Sequence, residues 1–212
     1  MFRFDTSIRV WFSLVKDVLI RYYLGMDLND LDSLERLAGL LRMDQRHLAT
    51  TAGLQMVHHD ILEYLSRCNR YSDTMQAVTE YLGLTKGTVS QSIKLLEEKG
   101  YIEKTADSKD KRVHHLHLTE SGGEYIWGAD SQTRAVFEGI NINPAYARVF
   151  GTILKDVLWQ MQMRQNKKGF LQCHTCRHNR ALEDGTFMCG LTLEALDAED
   201  TQKICREHEF AV

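Results

Sequence analysis

The sequence predicts a mainly α-helical fold with a small β-hairpin wing: a winged helix-turn-helix, a helical dimerisation region and a small C-terminal four-cysteine metal module. Three observations predict this class. Two short amphipathic segments flank a glycine turn, two strand-like segments follow them around a charged loop, and four of the five cysteines fall within residues 173–205 of a 212-residue chain. We divide the chain into N-terminal packing helices (1–53), the winged helix (54–122), C-terminal dimerisation helices (123–168) and the cysteine module (169–212).

Composition and charge limit the possible classes of function. Apolar residues make up 43% of the chain, which is enough for a packed core. A net charge of −3 argues against a protein that coats nucleic acid, but it leaves room for a local basic face. Because the chain has neither an apolar run of about 18 residues nor a leader-like N-terminus, we expect a cytoplasmic protein. No paired carboxylates, phosphate-binding loop or nucleophile motif is apparent, so we expect no enzymatic activity.

Helical periodicity dominates the chain before residue 66. The first predicted helix, 6–24, is apolar around most of its circumference. Such a helix is buried on more than one side, either between two subunits or inside one monomer. Two further helices are predicted over 29–47 and 54–65, with Gly53 as the break between them.

A helix-turn-helix is predicted over 73–99. The first helix ends before Gly83, Thr85 caps the second, and Gly100 ends it. In such a motif the exposed side chains at the start of the second helix reach base edges in the major groove. The chemistry of Gln91 suits adenine, and that of the lysines suits phosphates. The candidate DNA-contacting residues are Thr85, Lys86, Thr88, Ser90, Gln91, Ser92 and Lys94.

A β-hairpin with a charged loop follows the helix-turn-helix and predicts a wing. Its strands are 101–105 and 113–118, and its loop is 106–112. Residues 85–117 carry seven Lys/Arg and five Asp/Glu, a local balance of +2 against −3 for the whole chain. Because this excess is small, we expect a modest salt dependence of DNA binding.

The stretch 74–122 resembles the MarR family of transcriptional regulators. The matching residues are LGLTKGTVSQSIKLLEEKGYIEK and DSKDKRVHHLHLTESG. The resemblance implies a homodimer that binds a double-stranded DNA operator, with a small-molecule effector between its DNA-binding and dimerisation helices. It also implies that Asp107 and Asp110 brace the wing so that Arg112 enters the minor groove. Two more basic side chains belong to the wing: Lys109, which replaces an arginine of the family pattern, and Lys111.

The helices after the wing lead to a tail that departs from the MarR pattern. Helices are predicted over 120–140 and from Pro144 onwards, the second with an apolar stripe, and 165–169 is a polar hinge. A helix is also predicted within 192–209, so that its last cysteine would project from a helix. The cysteines of the tail, spaced C-x2-C-x12-C-x15-C, are Cys173, Cys176, Cys189 and Cys205.

Four thiolates suit either a tetrahedral zinc ion or an iron–sulfur cluster. Zinc ribbons usually have two CxxC pairs and this tail has one, which favours a 4Fe–4S cluster; zinc and metal-free redox thiols stay open. His174, His178 and His208 lie near the cysteines, and we expect them to be surface or supporting residues rather than ligands. Cys68 stands apart, and we expect a buried structural thiol with no ligand role.

Three functions are consistent with these patterns. The first is a dimeric regulator, expected to be a repressor, whose DNA affinity depends on a cluster that senses redox, oxygen or iron status. The second is a regulator with a structural zinc tail and a small-molecule effector. The third, a CxxC thiol oxidoreductase, is disfavoured because a redox CxxC normally opens a helix in a βαβ setting.

Overall fold

The computed structural model describes residues 28–108, 110–128, 139–164 and 169–210, and the helix predicted over 6–24 lies outside them. The predicted helix 29–47 is helix α1, Leu28–Thr51. The predicted helix 54–65 is α2, Met56–Leu65, and Gly53 takes a left-handed φ of +64° at the turn between them. Arg42 of α1 reaches the Asp60 carboxylate of α2 at 2.5 Å.

The helix-turn-helix forms where the turn chemistry predicted it, from α3, Met75–Leu82, and α4, Lys86–Glu98. The Thr74 hydroxyl caps α3 by accepting the Ala77 N–H at 3.3 Å. Gly83 ends α3 with φ +65°, a conformation that favours glycine because a Cβ is unfavourable there. Thr85 caps α4 by accepting the Thr88 N–H at 3.2 Å.

The predicted wing is an antiparallel hairpin of β1, Ile102–Ala106, and β2, His114–Leu118. Its register pairs Ile102 with Leu118 and Ala106 with His114. Ile102 and Leu116 face inwards and join the core under α2, α3 and α4. Buried members of this core include Ile61, Leu62, Tyr64, Val78, Val89, Ile93, Leu96, Ile102, Leu116, Phe170 and Ile204.

Two helices follow the wing in the part of the chain that the structure describes. Helix α5 spans Glu120–Trp127 and is shorter than the predicted 120–140, of which residues 129–138 lie outside the described structure. Pro144 opens α6, Pro144–Arg164, as predicted. An apolar face of α6 is exposed in the single chain: Val149, Phe150, Ile153, Leu154, Leu158 and Met161. Among the described residues, no helix is both long and apolar enough to cross a membrane.

The cysteine module is built from short strands and two 3-10 turns. Strand β3, Leu171–Gln172, pairs with β7, Ile204–Cys205, and a second sheet has the order β4, Asn179–Ala181, β5, Phe187–Cys189, and β6, Ala195–Leu196. The 3-10 turns cover Cys173–Thr175 and Asp200–Gln202. The prediction that Cys205 projects from a helix is therefore wrong. Its carbonyl and amide partners come from β3, which is distant in sequence, so local periodicity gave no sign of the strand.

Candidate DNA interface and four-cysteine site

The first turns of α4 present a polar, exposed face. Val89, Ile93 and Leu96 turn inwards, whereas these polar residues face solvent: Lys86, Thr88, Ser90, Gln91 and Lys94. Ser92 is only 5% exposed and lies on the inward side. The structure therefore removes Ser92 from the predicted set of DNA-contacting residues, because a side chain packed in the core cannot reach a groove.

Two of the predicted DNA-contacting residues, Thr85 and Lys94, already form bonds within the protein. The Thr85 hydroxyl accepts the Thr88 N–H and lies 2.9 Å from the Thr88 hydroxyl, so it serves the helix cap first. The Lys94 ammonium group lies 3.7 Å from the Glu98 carboxylate, and both side chains are exposed. Such an exposed pair is weak, so Lys94 can exchange it for a phosphate.

Arg112 extends into solvent from the wing and is held by one carboxylate. Its Nε and Nη2 donate to the two Asp110 oxygens, each at 2.9 Å, while its side chain stays 91% exposed. The Asp110 N–H donates in turn to Asp107 Oδ1 at 2.7 Å. This is the arrangement in which the resemblance places the two wing aspartates. Lys111 is exposed beside Arg112, and Lys109 lies outside the described residues.

The base of the wing carries a partly buried pair of a histidine and an aspartate that the sequence did not reveal. His115 Nδ1 lies 2.5 Å from Asp73 Oδ1, and its Nε2 lies 3.2 Å from Asp107 Oδ2. The hydrogen bond to Asp73 raises the pKa of His115. Burial raises the pKa of Asp73, although the bond to His115 opposes this. His115 thus ties the wing to the segment that begins the helix-turn-helix.

All four predicted cysteine ligands line one cavity of about 30 Å³, although they come from three separate pieces of chain: the turn with Cys173 and Cys176, β5 and β7. Strand and turn pairing explain the convergence: Cys205 lies opposite Leu171 on β3, and Cys189 lies opposite Asn179 on β4. None of the described cysteines forms a disulfide. Within the same residues, no three Cys, His, Asp or Glu side chains converge closely enough to hold a single metal ion.

Two thiols of this site have an N–H group directed at them. Cys173 Sγ accepts from Asn179 Nδ2 at 3.4 Å, and Cys176 Sγ from the Glu209 N–H at 3.4 Å. Burial raises the pKa of Cys205, although the nearby Asn69 side chain opposes this. Burial also acts on Cys189, but hydrogen bonds from Thr192 and Leu191 outweigh it and lower the pKa of that thiol. Bonds of this kind stabilise anionic sulfur.

The three nearby histidines take different positions. His178 lines the cavity, with its Nε2 3.5 Å from a Glu209 oxygen. His208 is buried and its Nε2 lies 2.8 Å from the Thr175 hydroxyl, while His174 Nδ1 lies 3.2 Å from the Thr201 carbonyl. Of these three histidines, His178 is the one that lines the cavity of the thiols. Cys68 is buried, as predicted, and is not among the residues that line the cavity; burial raises its pKa to about 12.

The module is attached to the back of the winged helix. Arg206 forms a bidentate pair with Glu80 of α3, at 2.6 and 2.8 Å. Arg70 reaches Asp200 at 3.1 Å, and Phe170 belongs to the same core as α2 and α3. Sequence reasoning missed these contacts because the Arg206 and Glu80 partners stand 126 residues apart and carry no local pattern.

The winged helix is similar in sequence to known transcriptional regulators. Residues 52–113 match the model of the MarR family. The HTH-type transcriptional regulator PetP of Rhodobacter capsulatus is 32% identical over 65 residues, covering 31% of this chain and 38% of PetP. YkoM of Bacillus subtilis, an uncharacterized HTH-type transcriptional regulator, is 34% identical over 74 residues, covering 35% of this chain and 47% of YkoM. The chain thus spans less than half the length of these curated relatives.

A solved structure extends the similarity to the fold. Sco3205, a MarR family transcriptional regulator from Streptomyces coelicolor solved in complex with DNA, superposes with a TM-score of 0.52. It is 23% identical, and the match covers 64% of this chain and 91% of that one. The described winged helix therefore has the MarR-like fold.

Proposed function

We propose that this protein is a dimeric, sequence-specific DNA-binding transcriptional regulator whose DNA affinity is controlled by a metal centre on its four C-terminal cysteines. One observation carries the DNA-binding part. The polar start of α4 is exposed beside a wing from which Arg112 extends, braced by Asp110. A helix of this kind suits the major groove, and an exposed wing arginine suits the phosphates or the minor groove.

The exposed apolar face of α6 supports the dimer. Six large apolar side chains on one helix are 40–59% exposed in the single chain, and an uncovered stripe of that size is typical of an interface. A second copy is the occupant that the MarR resemblance implies. A twofold dimer would present two α4 helices to half-sites about one helical turn apart.

DNA binding is testable without knowing the operator. Duplexes selected from a random pool are measured by fluorescence anisotropy against a scrambled duplex of equal length. We expect enrichment of a palindromic site and a specific affinity at least about a thousandfold above the scrambled control. Failure to enrich any sequence, with equal affinity for both duplexes, would contradict DNA recognition by this chain.

The four-cysteine site fits a metal centre. Its thiols line one cavity, and those of Cys173 and Cys176 each accept an N–H donor, a contact that stabilises thiolate ligands. Cys173, Cys176, Cys189 and Cys205 would hold the centre, and a 4Fe–4S cluster would supply a change of charge or of occupancy in response to redox, oxygen or iron status. The rest of the module positions the thiols and covers them.

The spacing of the cysteines favours a cluster over one ion. Zinc ribbons usually carry two CxxC pairs, and this tail carries one, at Cys173 and Cys176. A cluster distributes its four thiolates over several irons, which suits isolated third and fourth ligands such as Cys189 and Cys205.

Zinc remains the second candidate because the cavity is small. A volume of about 30 Å³ matches the space of roughly two water molecules, which suits one ion. The test is a visible absorption spectrum of anaerobically purified protein, with iron, sulfide and zinc analysis. A brown protein with absorbance near about 400 nm is expected for the cluster. A colourless protein with one zinc per chain would overturn the cluster and leave a structural zinc tail.

A further inference from the structure

His115 stands between two carboxylates that come from different parts of the winged helix. Its Nδ1 lies 2.5 Å from Asp73 Oδ1, in the segment before α3, and its Nε2 lies 3.2 Å from Asp107 Oδ2, in the wing loop. Both ring nitrogens therefore face a carboxylate oxygen, which accepts hydrogen bonds and donates none. An imidazole satisfies two such acceptors only when it carries a proton on each nitrogen and hence a positive charge.

The two bonds of His115 are not equivalent. The Asp73 side chain is 9% exposed and lies at the shorter distance, whereas the Asp107 side chain is 27% exposed. A neutral imidazole keeps one N–H, and the shorter, more buried bond to Asp73 retains it. When the Nε2 proton passes to solvent, a lone pair faces an Asp107 oxygen, and the two acceptors repel each other. Deprotonation of His115 therefore breaks the contact with the wing loop and leaves a weaker, neutral hydrogen bond to Asp73.

Asp107 holds the wing loop together. Its Oδ1 accepts the Asp110 N–H at 2.7 Å, and its own N–H donates to the Val113 carbonyl at 3.0 Å. Asp110 in turn accepts the Nε and Nη2 groups of Arg112, each at 2.9 Å. A chain of bonds thus runs from His115 through Asp107 and Asp110 to the arginine that extends from the wing into solvent.

The surroundings of His115 favour its charged form. The hydrogen bond to Asp73 is the main cause that raises the pKa of His115, and the bond to Asp107 adds to it. His117, on the same strand, stacks on the His115 ring at a centroid distance of 6.3 Å, and its Nδ1 lies 3.8 Å from Asp73 Oδ2. Uncharged neighbours surround the pair: Thr105 across the hairpin, Thr74 in a β-bridge with His115, and the buried Tyr64 and Cys68, whose pKa values burial raises.

We infer that His115 is the positioning residue of the wing: with a proton on each ring nitrogen it holds Asp107 and so fixes the loop that presents Arg112 to DNA, and on losing one proton it releases that loop. This inference rests on the proposed function, in which Arg112 contacts DNA. The switch lies in the winged helix and involves none of the four cysteines of the tail.

The sign of the pH dependence follows from the raised pKa of His115. The bracing of the loop is complete below the ordinary histidine pKa of about 6.5 and is lost as pH rises through the raised pKa. Since the braced loop presents the arginine, the affinity for DNA should fall as pH rises.

The experiment measures the affinity of the full chain for its selected duplex by fluorescence anisotropy, at constant ionic strength, from about pH 6 to about pH 8.5, on both sides of the ordinary histidine pKa. In the wild type we expect the affinity to fall about fivefold over this range, the lower end of what removal of a contacting arginine produces. In Arg112→Ala the affinity should be weaker throughout and the fall should be absent, because the loop then presents no arginine.

Asp107→Asn tests the contact between His115 and the loop. The amide oxygen of an asparagine still accepts the Asp110 N–H, and its NH₂ group donates to the Nε2 lone pair of a neutral His115. The loop then stays braced when His115 is neutral, so the affinity should no longer fall with pH. His115→Gln removes the titrating ring and should give the same loss of pH dependence, and it serves if Asp107→Asn does not fold.

His114→Gln is the matched control. His114 precedes His115 on β2 and is exposed, so this variant removes a titrating imidazole from the wing and leaves the bonds of His115 in place. It should keep the fall seen in the wild type. Loss of the fall in His114→Gln would indicate a direct, proton-linked contact with phosphate and would overturn the inference. A fall in Asp107→Asn as steep as in the wild type would also overturn it.

Amide hydrogen exchange of the free protein, followed by NMR, separates the switch from DNA binding. Divided by the intrinsic rate at each pH, exchange of the Asp110 amide should speed up about tenfold over the same range, the effect of losing one hydrogen bond to a charged group. Asp107→Asn should abolish this increase, and a wild-type Asp110 amide that does not respond to pH would contradict the switch. A responding amide with a DNA affinity independent of pH would break the link to Arg112. If the chain binds no duplex at any pH, the proposed function fails, and exchange still decides whether His115 holds Asp107.

Discussion

Phe170 anchors the cysteine module to the winged helix, and its removal should separate the two. The residue is 5% exposed and belongs to the core cluster of α2, α3 and α4. Its ring meets Tyr81 edge-on at a centroid distance of 5.3 Å and Tyr64 at 6.2 Å. The Phe170 backbone has a left-handed φ of +40°, which is unfavourable for a residue with a Cβ. The packing of the buried ring holds the backbone in this conformation.

The size of the effect follows from this burial. A fully buried Phe→Ala change costs about 3–5 kcal/mol, from lost transfer energy and the cavity left behind. Within that total, the two edge-to-face ring pairs contribute about 0.5–1.5 kcal/mol each. Phe170→Leu fills most of the volume but loses the ring pairs, so we expect a loss of about 1–2 kcal/mol for it.

Urea unfolding followed by circular dichroism measures both variants against the wild type. Leu182→Ala is the control, since Leu182 is in the same module but 43% exposed, and a surface change of this kind costs about 0.5 kcal/mol or less. Phe170→Ala should also weaken metal retention, because the module loses its support. A Phe170→Ala protein within about 1 kcal/mol of the wild type would refute the reasoning that this ring joins the two parts.

Three further predictions concern the wing, α4 and the apolar face of α6. Arg112→Ala should weaken binding to a selected duplex by about 1–3 kcal/mol and lower the slope of log affinity against log salt concentration by about one. Gln91→Ala should relax the preference for one base pair of the site. Affinities equal to those of the wild type in fluorescence anisotropy would contradict both predictions. The hydrogen bond to Asp73 raises the pKa of His115, so the stabilisation that this bond gives the wing is complete below the ordinary histidine pKa and is lost as pH rises through the raised pKa. Hydrogen exchange of the wing amides should therefore speed up over that pH range. In Asp73→Asn the same change should occur at lower pH. Ile153→Glu, at a position 54% exposed in the single chain, should convert the dimer to a monomer in sedimentation, while an unchanged dimer would show that α6 is not the interface.

Local chemistry predicted the helix-turn-helix closely. Gly83 requires a left-handed turn, and Thr74 and Thr85 cap the helices beside it, so these boundaries depend on neighbours within four residues. The same logic failed for Cys205, whose strand depends on a partner at Leu171. It also placed Ser92 on the DNA-facing side, because polarity suggested exposure where the helix turns the side chain inwards.

The four-cysteine set could be named from spacing, but its surroundings could not. Asn69 lines the cavity of the thiols because the module folds back onto residues 67–73, and a lone asparagine before a helix-turn-helix carries no pattern that connects it with a cysteine far along the chain. The Asp73–His115 pair at the wing base was missed for the same reason, since its members are 42 residues apart.

The sequence by itself determined the order of the helices and strands of the winged helix, the polar start of α4 and the four thiols, because each rests on residues close together in the chain. Only the tertiary structure decided where the thiols meet and what they touch. It brings Asn69 to the cavity of the thiols and attaches the cysteine module to residues 67–73 and to α3, through contacts between residues more than a hundred positions apart. Such contacts arise from the packing of buried surfaces such as the Phe170 ring, which no local periodicity encodes.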